Sequence, residues 1–201
     1  MPSETEIANF ALNHLGHRFT IASLTESSEE ARAVNAFFET AKNEMLREND
    51  WPFARMRAVL VLVSVATTAY SDDYYYAYRY PSDCAFVLRI LSGVERDSVS
   101  TKIPYRIIQD STGLLILSNT ADAEAEYIST DTPISFWPPD AALALSYRVA
   151  FYCGPRIVGD AQKLGPMLEM LYRMSRSKAK ATAGHEEVPP VEPLPEFLTG
   201  R

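Results

Sequence analysis

The chain has 201 residues, of which 47% are hydrophobic and 22% are charged, and it carries a formal net charge of -7. This length and hydrophobic fraction are enough to bury a substantial core in one domain with a subdomain. The acidic balance argues against a general nucleic-acid binder, because contacts to phosphates need clustered Lys and Arg side chains.

The first predicted helix begins close to the N-terminus. Ser3 and Glu6 have the spacing of a capping box, in which the serine hydroxyl and the glutamate carboxylate each accept from a free backbone N–H group. Gly16 is typical of the position just beyond a helix end. The spacing in between predicts an apolar stripe that consists of Ile7, Phe10, Ala11, His14 and Leu15.

The second predicted helix is long and amphipathic, and the rest of the chain is organised around it. Ser27 and Glu30 again have capping-box spacing and predict its start. Pro52 disfavours helical geometry at Trp51, so the helix should end just before this tryptophan, with Trp51 and Phe53 folded back onto its last turn as core anchors. The expected apolar face contains Ala31, Val34, Phe38, Ala41 and Met45, widened by Phe37 and Leu46.

Residues 58–137 change to the pattern of an antiparallel sheet of four to six short strands. Apolar, β-branched or aromatic runs separated by turn signals occur at 59–65, 74–80, 86–91, 105–109, 114–117 and 123–129. Gly113 lies in the turn of a predicted hairpin. The last run alternates acidic with small or apolar residues and therefore predicts a half-exposed strand.

The helical period returns after this segment. Asp140 is a candidate cap for a third helix that should stop at Cys153-Gly154-Pro155, and Asp160 is a candidate cap for a fourth, which Gly165-Pro166 would kink. The fourth helix becomes basic towards its end, as suits its dipole. Its predicted apolar stripe consists of Leu164, Met167, Leu168, Leu171 and Met174.

These elements predict an α+β fold with an interrupted helical part. Residues 1–57 and 138–183 would form an antiparallel helical bundle, and residues 58–137 would form a small antiparallel β-sheet subdomain inserted into it. Residues 184–201 contain four prolines and little apolar surface, so they predict an extended tail that only a partner would order.

The titratable residues predict no catalytic site. His14 and His17 stand three residues apart without a third ligand, a spacing more typical of packing or surface positions than of a metal site. Cys84 and Cys153 are not at CxxC spacing and are expected to be buried thiols. The acidic residues at 72–73 and 122–126 are expected to lie in a turn and on an exposed strand face, respectively, rather than to bind a cation. We therefore expect no enzyme, no cofactor and no metal.

The first residues and the longest apolar run bear on localisation. Residues 1–4 lack the basic and apolar segments of a signal peptide, and the run at 58–65 is too short to span a bilayer. We expect a soluble protein made inside the cell, with no membrane partner.

The tyrosine cluster is the least ordinary feature of the sequence. Tyrosine offers a large rigid area with a polar tip and is favoured at interfaces. Alternate tyrosines are therefore candidates to face a partner while the others fill the core, and the interface candidates are Tyr74, Tyr75, Tyr76 and Tyr78.

Six segments of the chain follow one another in a specific order and spacing. They are residues 3–16, Glu30-Ala31-Arg32 at the start of the long helix, residues 44–55 with Asp50-Trp51-Pro52-Phe53-Ala54-Arg55, residues 76–84, residues 125–128, and Trp137 through the following helix to Gly159-Asp160. Together they cover most of residues 3–180, and no single motif among them is chemically diagnostic. In this order the segments resemble the tail tubular protein A family, the head-to-tail adaptors of short-tailed bacteriophages.

The resemblance implies a structural virion protein. Members of this family form a ring, typically of about twelve subunits, between the portal protein and the tail nozzle protein (tail tubular B type), and the genome passes through the channel without specific binding. The implied place of this chain is the head-to-tail interface of a virion, after synthesis in the host cytoplasm. The sheet with its tyrosines would then face the nozzle protein or a neighbouring subunit, and these two alternatives stay open.

The resemblance also suggests candidate contact residues. Arginines of the long helix and its exit are candidates for ion pairs between subunits, and they are Arg32, Arg47, Arg55 and Arg57. Apolar residues of the tail are candidates for portal binding, and they are Val191, Leu194, Phe197 and Leu198.

Two other classes of function are alternatives to this hypothesis. A virion-associated cell-wall hydrolase would need a carboxylate pair, for which Glu44 and Asp50 are the candidates. A helical transcriptional regulator would need a basic recognition helix, and the sequence offers none.

Overall fold

The computed structural model describes residues 2–65, 73–91, 102–159 and 161–185, and here the chain has mixed α and β structure with four helices and two antiparallel sheets. The α-helices are α1 Glu4–His14, α2 Glu29–Glu48, α3 Pro139–Val158 and α4 Ala161–Ala183. The strands are β1 Arg55–Val59, β2 Leu62–Val65, β3 Tyr76–Arg79, β4 Cys84–Leu91, β5 Tyr105–Asp110, β6 Gly113–Ser118 and β7 Glu124–Ser129. Short 3-10 helices lie at Pro52–Ala54 and Ile134–Phe136.

The chain divides into two compact units. The helical unit contains Met1–Met56, Asp83–Val87 and Tyr127–Ala183, and the sheet unit contains Arg57–Ser82, Leu88–Glu126 and Gly184–Arg201. Within the helical unit α3 packs against α1, α2 and α4. The domain limits expected near residues 57 and 138 stay a prediction.

The two ends of α1 follow their sequence signals. The capping box is present, because Ser3 Oγ accepts from the Glu6 N–H at 3.2 Å and Glu6 Oε2 accepts from the Ser3 N–H at 2.9 Å. At the other end Gly16 has φ +75°, and the His17 N–H donates to the Leu12 carbonyl at 3.1 Å. This is the left-handed helix end that glycine favours.

The start of α2 differs by one residue from the prediction. Ser28, not Ser27, caps the helix, because its hydroxyl accepts from the Ala31 N–H at 3.2 Å while donating to Glu26 at 2.6 Å. The predicted end is confirmed, since α2 stops at Glu48. All five residues of the predicted apolar face are buried, namely Ala31, Val34, Phe38, Ala41 and Met45.

The two aromatic residues predicted as anchors after α2 lie beside each other, with Trp51 buried and Phe53 half-buried. Trp51 is fully buried, and its Nε1–H donates to the Met45 carbonyl at 2.8 Å. Phe53 lies with its ring centroid 5.5 Å from that of Trp51 and 5.0 Å from that of Trp137. The chain therefore turns back onto the last part of α2, as the proline at position 52 predicts.

The apolar run that predicts one strand at 59–65 forms two. Leu60 is buried and its N–H donates to the Ala123 carbonyl at 2.8 Å, whereas the Val61 carbonyl accepts from the Arg79 N–H at 2.8 Å. The chain thus changes sheets between β1 and β2. A uniform β-branched run contains no signal for such a change.

Two sheets replace the single sheet that was predicted. One has the strand order β1-β7-β4 and the other β2-β3-β6-β5. The hairpin of β5 and β6 is confirmed, with Gly113 at φ +136° and the Asp110 carboxylate accepting from Thr112 N–H at 2.7 Å.

Strand β7 is buried rather than half-exposed. It is the central strand of its sheet, so both of its edges are paired, and even Glu126 is only 8% exposed. Its alternating acidic pattern was misleading, because the Glu126 carboxylate accepts hydrogen bonds from the Arg57 and Arg89 guanidinium groups.

Helix α3 passes through the residues that were expected to end it. It begins at Pro139, with Asp140 inside the first turn instead of at the cap, and it continues through Pro155 to Val158. Gly154 has a packing role, because a Cβ at this position would lie 3.1 Å from Leu15 Cδ2. Of the predicted caps, Asp160 lies outside the described residues.

Three residues of the predicted apolar stripes are exposed: Phe10 by 50%, Met167 by 42% and Met174 by 63%. The predicted stripe of α4 is confirmed at Leu168, which is buried, and Leu164 and Leu171 are half-buried. The other buried residues of the helix are Tyr172, Ala179 and Ala183, which the prediction did not include because it placed the larger apolar side chains Met167 and Met174 inwards.

The cysteines form no disulfide; Cys153 is buried and Cys84 half-buried. Burial raises the pKa of the Cys153 thiol to about 12, so this thiol is protonated at neutral pH. None of the described helices combines the length and the apolar character needed to cross a membrane.

Candidate interaction surfaces

A histidine and a serine lie together in the helical unit, but their hydrogen bonds are those of a structural pair. His14 Nε2 is 3.0 Å from Ser146 Oγ, and this hydroxyl donates to the Leu143 carbonyl at 2.7 Å. Since the serine proton is already used, the imidazole must donate to Ser146 rather than act as its base. The His14 ring also stacks on Tyr147 at 4.0 Å.

The carboxylates considered for a hydrolase are both held by arginines. Glu44 Oε2 accepts from Arg148 at 2.9 Å and from the Tyr152 hydroxyl at 2.6 Å, and Asp50 accepts from Arg55 at 2.6 Å. Burial raises the pKa of Glu44, but the hydrogen bonds from Tyr152 and Arg148 outweigh it and hold the pKa below its ordinary value. A glycosidase acid needs the opposite shift.

Arg148 is the centre of a polar network that could not be predicted from local sequence patterns. It is 15% exposed and bonds Glu44 of α2 and Glu169 of α4, each at 2.9 Å. Its guanidinium carbon lies 5.0 Å from the Tyr152 ring centroid and 4.9 Å from that of Tyr172. The arginine therefore links three helices by ion pairs and cation–π contacts together.

A second carboxylate of α2 extends this network. Glu48 Oε2 accepts from the Tyr172 hydroxyl at 2.6 Å and from Arg176. Burial and the bonded carboxylate raise the pKa of Tyr172 well above its ordinary value. The one available sequence signal was the spacing of Glu44 and Glu48, which places both on one side of α2 one turn apart.

Asp83 organises a further polar cluster of the helical unit. Its carboxylate accepts from Ser129 Oγ at 2.7 Å and from the Tyr127 hydroxyl at 3.1 Å, while its carbonyl accepts from the Thr130 N–H at 2.7 Å. Burial, together with the negative charge of Asp83, raises the pKa of Tyr127 to about 12. These contacts fix the turn before β4 to the end of β7.

Three of the four candidate interface arginines have partners in the same chain. Arg32 donates to the backbone carbonyl groups of Ser27 and Ser28, Arg55 pairs with Asp50, and Arg57 pairs with Glu126. Arg47 is exposed and has no hydrogen bond or ion pair with any other residue of the described chain. Among the four, Arg47 has the charge that is most available to a neighbour.

The candidate tyrosines differ strongly in exposure. Tyr78 is fully buried and its hydroxyl donates to the Thr120 carbonyl at 2.6 Å, so the structure removes it from the candidate surface. Tyr74 and Tyr76 are half-buried, and Tyr75 is 51% exposed with its ring edge-on to Tyr76 at 4.9 Å. Tyr75 is therefore the tyrosine best placed to meet a partner.

The candidate tail residues Val191, Leu194, Phe197 and Leu198 lie outside the described residues, as does most of the loop at 66–76. Within the described ranges, no group of three or more His, Cys, Asp and Glu side chains is placed to hold a metal ion.

Three further surfaces of the described residues contain exposed apolar side chains. The acidic face of α1 consists of Glu6, Phe10 and Asn13, and the methionine face of α4 consists of Met167, Met170, Met174 and Lys178. The third feature is the edge strand β2, Leu62–Val65, which pairs only with β3 among the described strands and is 47% exposed at both Leu62 and Val65.

Exposed apolar groups of this kind mark association surfaces more often than catalytic sites. Comparison with protein-family models and with curated proteins finds no match to this chain.

Proposed function

We propose that this protein is a structural head-to-tail adaptor of a short-tailed bacteriophage, assembled as a ring of about twelve copies between the portal and the tail nozzle. The genome would pass through the channel of the ring. The proposal starts from the segments whose order resembles the tail tubular protein A family. The structural role of the residues in these segments supports the proposal.

The observation that carries the proposal is the junction after α2. Within Asp50-Trp51-Pro52-Phe53-Ala54-Arg55, Trp51 closes onto the Met45 carbonyl and Arg55 holds Asp50 through two hydrogen bonds, at 2.6 and 2.7 Å. The most recognisable motif of the chain therefore performs a structural task, which is the expectation for an assembly protein.

The proposed architecture is a helical bundle with an inserted sheet. Packing of α1, α2 and α4 on α3 supports the helical part. Side-by-side helices with charged outer surfaces offer the heterologous contacts from which closed rings are built. Arg47, exposed on α2, is the first of the four arginines to test for a contact between subunits.

The acidic charge of the chain suits a channel for DNA. A ring built from subunits of net charge -7 makes few of the cationic contacts that release counterions from DNA. The genome would slide through such a channel rather than bind to it.

The portal and nozzle contacts are assigned by analogy with the family. The apolar residues between Val191 and Leu198 would bind the portal, and Tyr75 with the neighbouring sheet would face the nozzle or the next subunit. Truncation after Gly184 should leave the fold intact and weaken portal binding. Unchanged binding of the truncated chain to the portal would refute the assignment of the tail.

The test of the function is the mass of the purified protein alone and mixed with a portal assembly, measured by native mass spectrometry or light scattering. Binding of about a dozen copies per portal is the expected result. A monomer or dimer that ignores the portal would refute the adaptor role.

A cell-wall hydrolase is the alternative that must be tested beside it. Its candidate acid, Glu44, is held as a carboxylate by Arg148 and Tyr152. A peptidoglycan-clearance assay with the wild-type protein and Glu44→Gln separates the two functions, since clearance that depends on Glu44 belongs to an enzyme.

A further inference from the structure

Two of the exposed features are complementary to each other. On α1, Phe10 lies between Glu6 and Asn13 on one stripe, because positions i, i+4 and i+7 of a helix share a face. On α4, Met170, Met174 and Lys178 form a similar stripe with two steps of four residues. Each stripe thus has an apolar centre, one ending in an acid and the other in a base.

The stripes match when the two helices run antiparallel. A step of four residues advances about 6 Å along a helix. With Phe10 placed against Met174, Glu6 therefore reaches the level of Lys178, and Asn13, three residues from Phe10, comes within about 2 Å of the level of Met170. The aromatic ring would lie against methionine sulfur, a favourable contact, and the ion pair would fix the direction of the helices.

Charge distribution favours a second copy of this chain as the occupant. The protein is acidic overall, with a net charge of -7, whereas the part of α4 from Arg173 to Lys180 contains four basic residues and no acidic one. Arg173 and Arg176 pair with Glu169 and Glu48 of the same chain, which leaves Lys178 and Lys180 without an ion pair among the described residues. Helix α1 contains two glutamates and neither Lys nor Arg. The acidic helix and the basic helix of two copies attract each other, although the chains as wholes repel.

The position of the two faces within the helical unit permits the contact to repeat. Helices α1 and α4 each pack on α3 but do not form a packed pair with each other. Neither face is therefore covered by the other helix within one copy, so each is free to meet a different neighbour, as a heterologous ring requires.

We infer that the acidic face of α1 in one copy binds the methionine face of α4 in the next copy. This inference deepens the proposed function, because it names the subunit contact of the ring, but its chemistry is independent of the portal and the nozzle. Exposure of Phe10, Met170 and Met174, each 50% or more, is what the contact would remove.

The test uses two variants of the full chain that each break one face. Phe10→Asp places a charge in the apolar centre of the α1 face, and Met174→Asp does the same for α4. Both residues are exposed, so folding should be preserved, and Phe136→Asp is the matched control at a residue that is 65% exposed and belongs to neither face.

Association is measured by light scattering over a concentration series at low ionic strength. Each variant alone should associate about tenfold or more weakly than the wild type, because a charge in the centre of the contact is left unpaired. An equimolar mixture of the two variants should form a 1:1 dimer that grows no further, since the pair retains one intact contact. If the wild type associates only on the portal, the same samples are compared as copies bound per portal.

Other occupants predict different results. Pairing of α4 with α4 would leave Phe10→Asp at wild-type strength, and coverage of α4 by the chain's own C-terminal residues would make association appear only after truncation at His185. Either result, or the absence of association with and without portal, overturns the inference. If both variants still assembled into rings like the wild type, the contact would be refuted but the adaptor role would not. A 1:1 dimer of the mixed variants without portal binding would support the contact and refute the adaptor role.

Discussion

The helical unit and the sheet unit differ in whether their side chains have partners within the same unit. Between α2, α3 and α4 the long ionisable side chains pair with one another around Arg148, so their charges are neutralised within the unit. At β2 the chain instead exposes aliphatic side chains, and Val61, just before the strand, is 70% exposed. Such edges are a liability unless something covers or blunts them.

The comparison separates residues that stabilise the protein from residues that are available for association. Substitutions around Trp51 and Arg148 should lower the free energy of unfolding and leave the surface unchanged. Substitutions on β2 should leave that free energy nearly unchanged and alter how molecules associate. Each of the following predictions tests one side of this division.

The largest loss of stability is expected for Trp51→Ala. The substitution leaves a cavity in a fully buried site and removes the hydrogen bond to the Met45 carbonyl, so unfolding should become easier by about 3–5 kcal/mol. Urea denaturation followed by tryptophan-independent circular dichroism measures the change. The control is Phe136→Ala, at an exposed aromatic residue, which should lose less than about 1 kcal/mol. Equal losses for the two variants would contradict the role of Trp51 as an anchor.

Arg148→Met should cost less, about 1–3 kcal/mol, because its carboxylate partners are partly exposed to solvent. Comparing the single variants Arg148→Met and Glu44→Gln with the double variant measures their coupling, and strict additivity would show that the ion pair contributes nothing.

The pH dependence adds a second check on Glu44. Its pKa in the folded protein is lowered, so the stabilisation is complete above the unfolded value of about 4.3 and is lost as the pH falls through the lower folded value. The difference in stability between wild type and Glu44→Gln should therefore shrink in acid. A difference that stays constant down to acid unfolding would argue against a charged Glu44.

Local signals in the sequence were sufficient for the ends of several elements. The capping box of α1, the stop before Pro52 and the hairpin at Gly113 depend on residues within a few positions of one another, and the structure contains all three. Local chemistry decides such features because the partners are already close in the unfolded chain.

Features decided by distant partners were not predictable in this way. Glu126 looks like a solvent-facing strand residue until Arg57 and Arg89, 69 and 37 positions away, approach it. Arg148 likewise meets Glu44 across 104 positions. The periodicity of α4 was only partly informative for a related reason, since the packing of distant elements decides that Ala179 and Ala183 are buried whereas Met167 and Met174 are exposed.

A smaller effect, confined to mildly acidic pH, is expected from His14. Burial lowers its pKa, so the folded protein binds a proton less readily than the unfolded chain, whose histidine titrates near about 6.5. Stability should therefore fall as the pH decreases below that value, until the lower folded pKa is passed. In His14→Gln, whose amide can still donate to Ser146, the slope between about pH 7 and 5.5 should be flatter. Identical slopes for variant and wild type would contradict a lowered pKa for the half-buried His14 imidazole.

The smallest effect on stability is expected at the β2 edge. Val63 has no partner in the register with β3, which shifts between Leu62 and Ser64, and its side chain is 39% exposed. Val63→Lys therefore removes little packing and should change the free energy of unfolding by no more than about 0.5 kcal/mol. The added charge should nevertheless slow aggregation on mild heating, because lysine on an edge strand opposes pairing with another edge.

The matched control for this variant is Ile107→Lys on β5, the opposite edge of the same sheet. Ile107 is exposed to a similar degree, 43%, but its strand already contains Arg106 and Asp110, so another charge should add little protection. Aggregation of the two variants is compared by turbidity on mild heating, at temperatures equally far below the unfolding midpoint of each variant. Equal protection from aggregation by both variants would show that general surface charge governs association. The exposed β2 edge would then have no special role in aggregation.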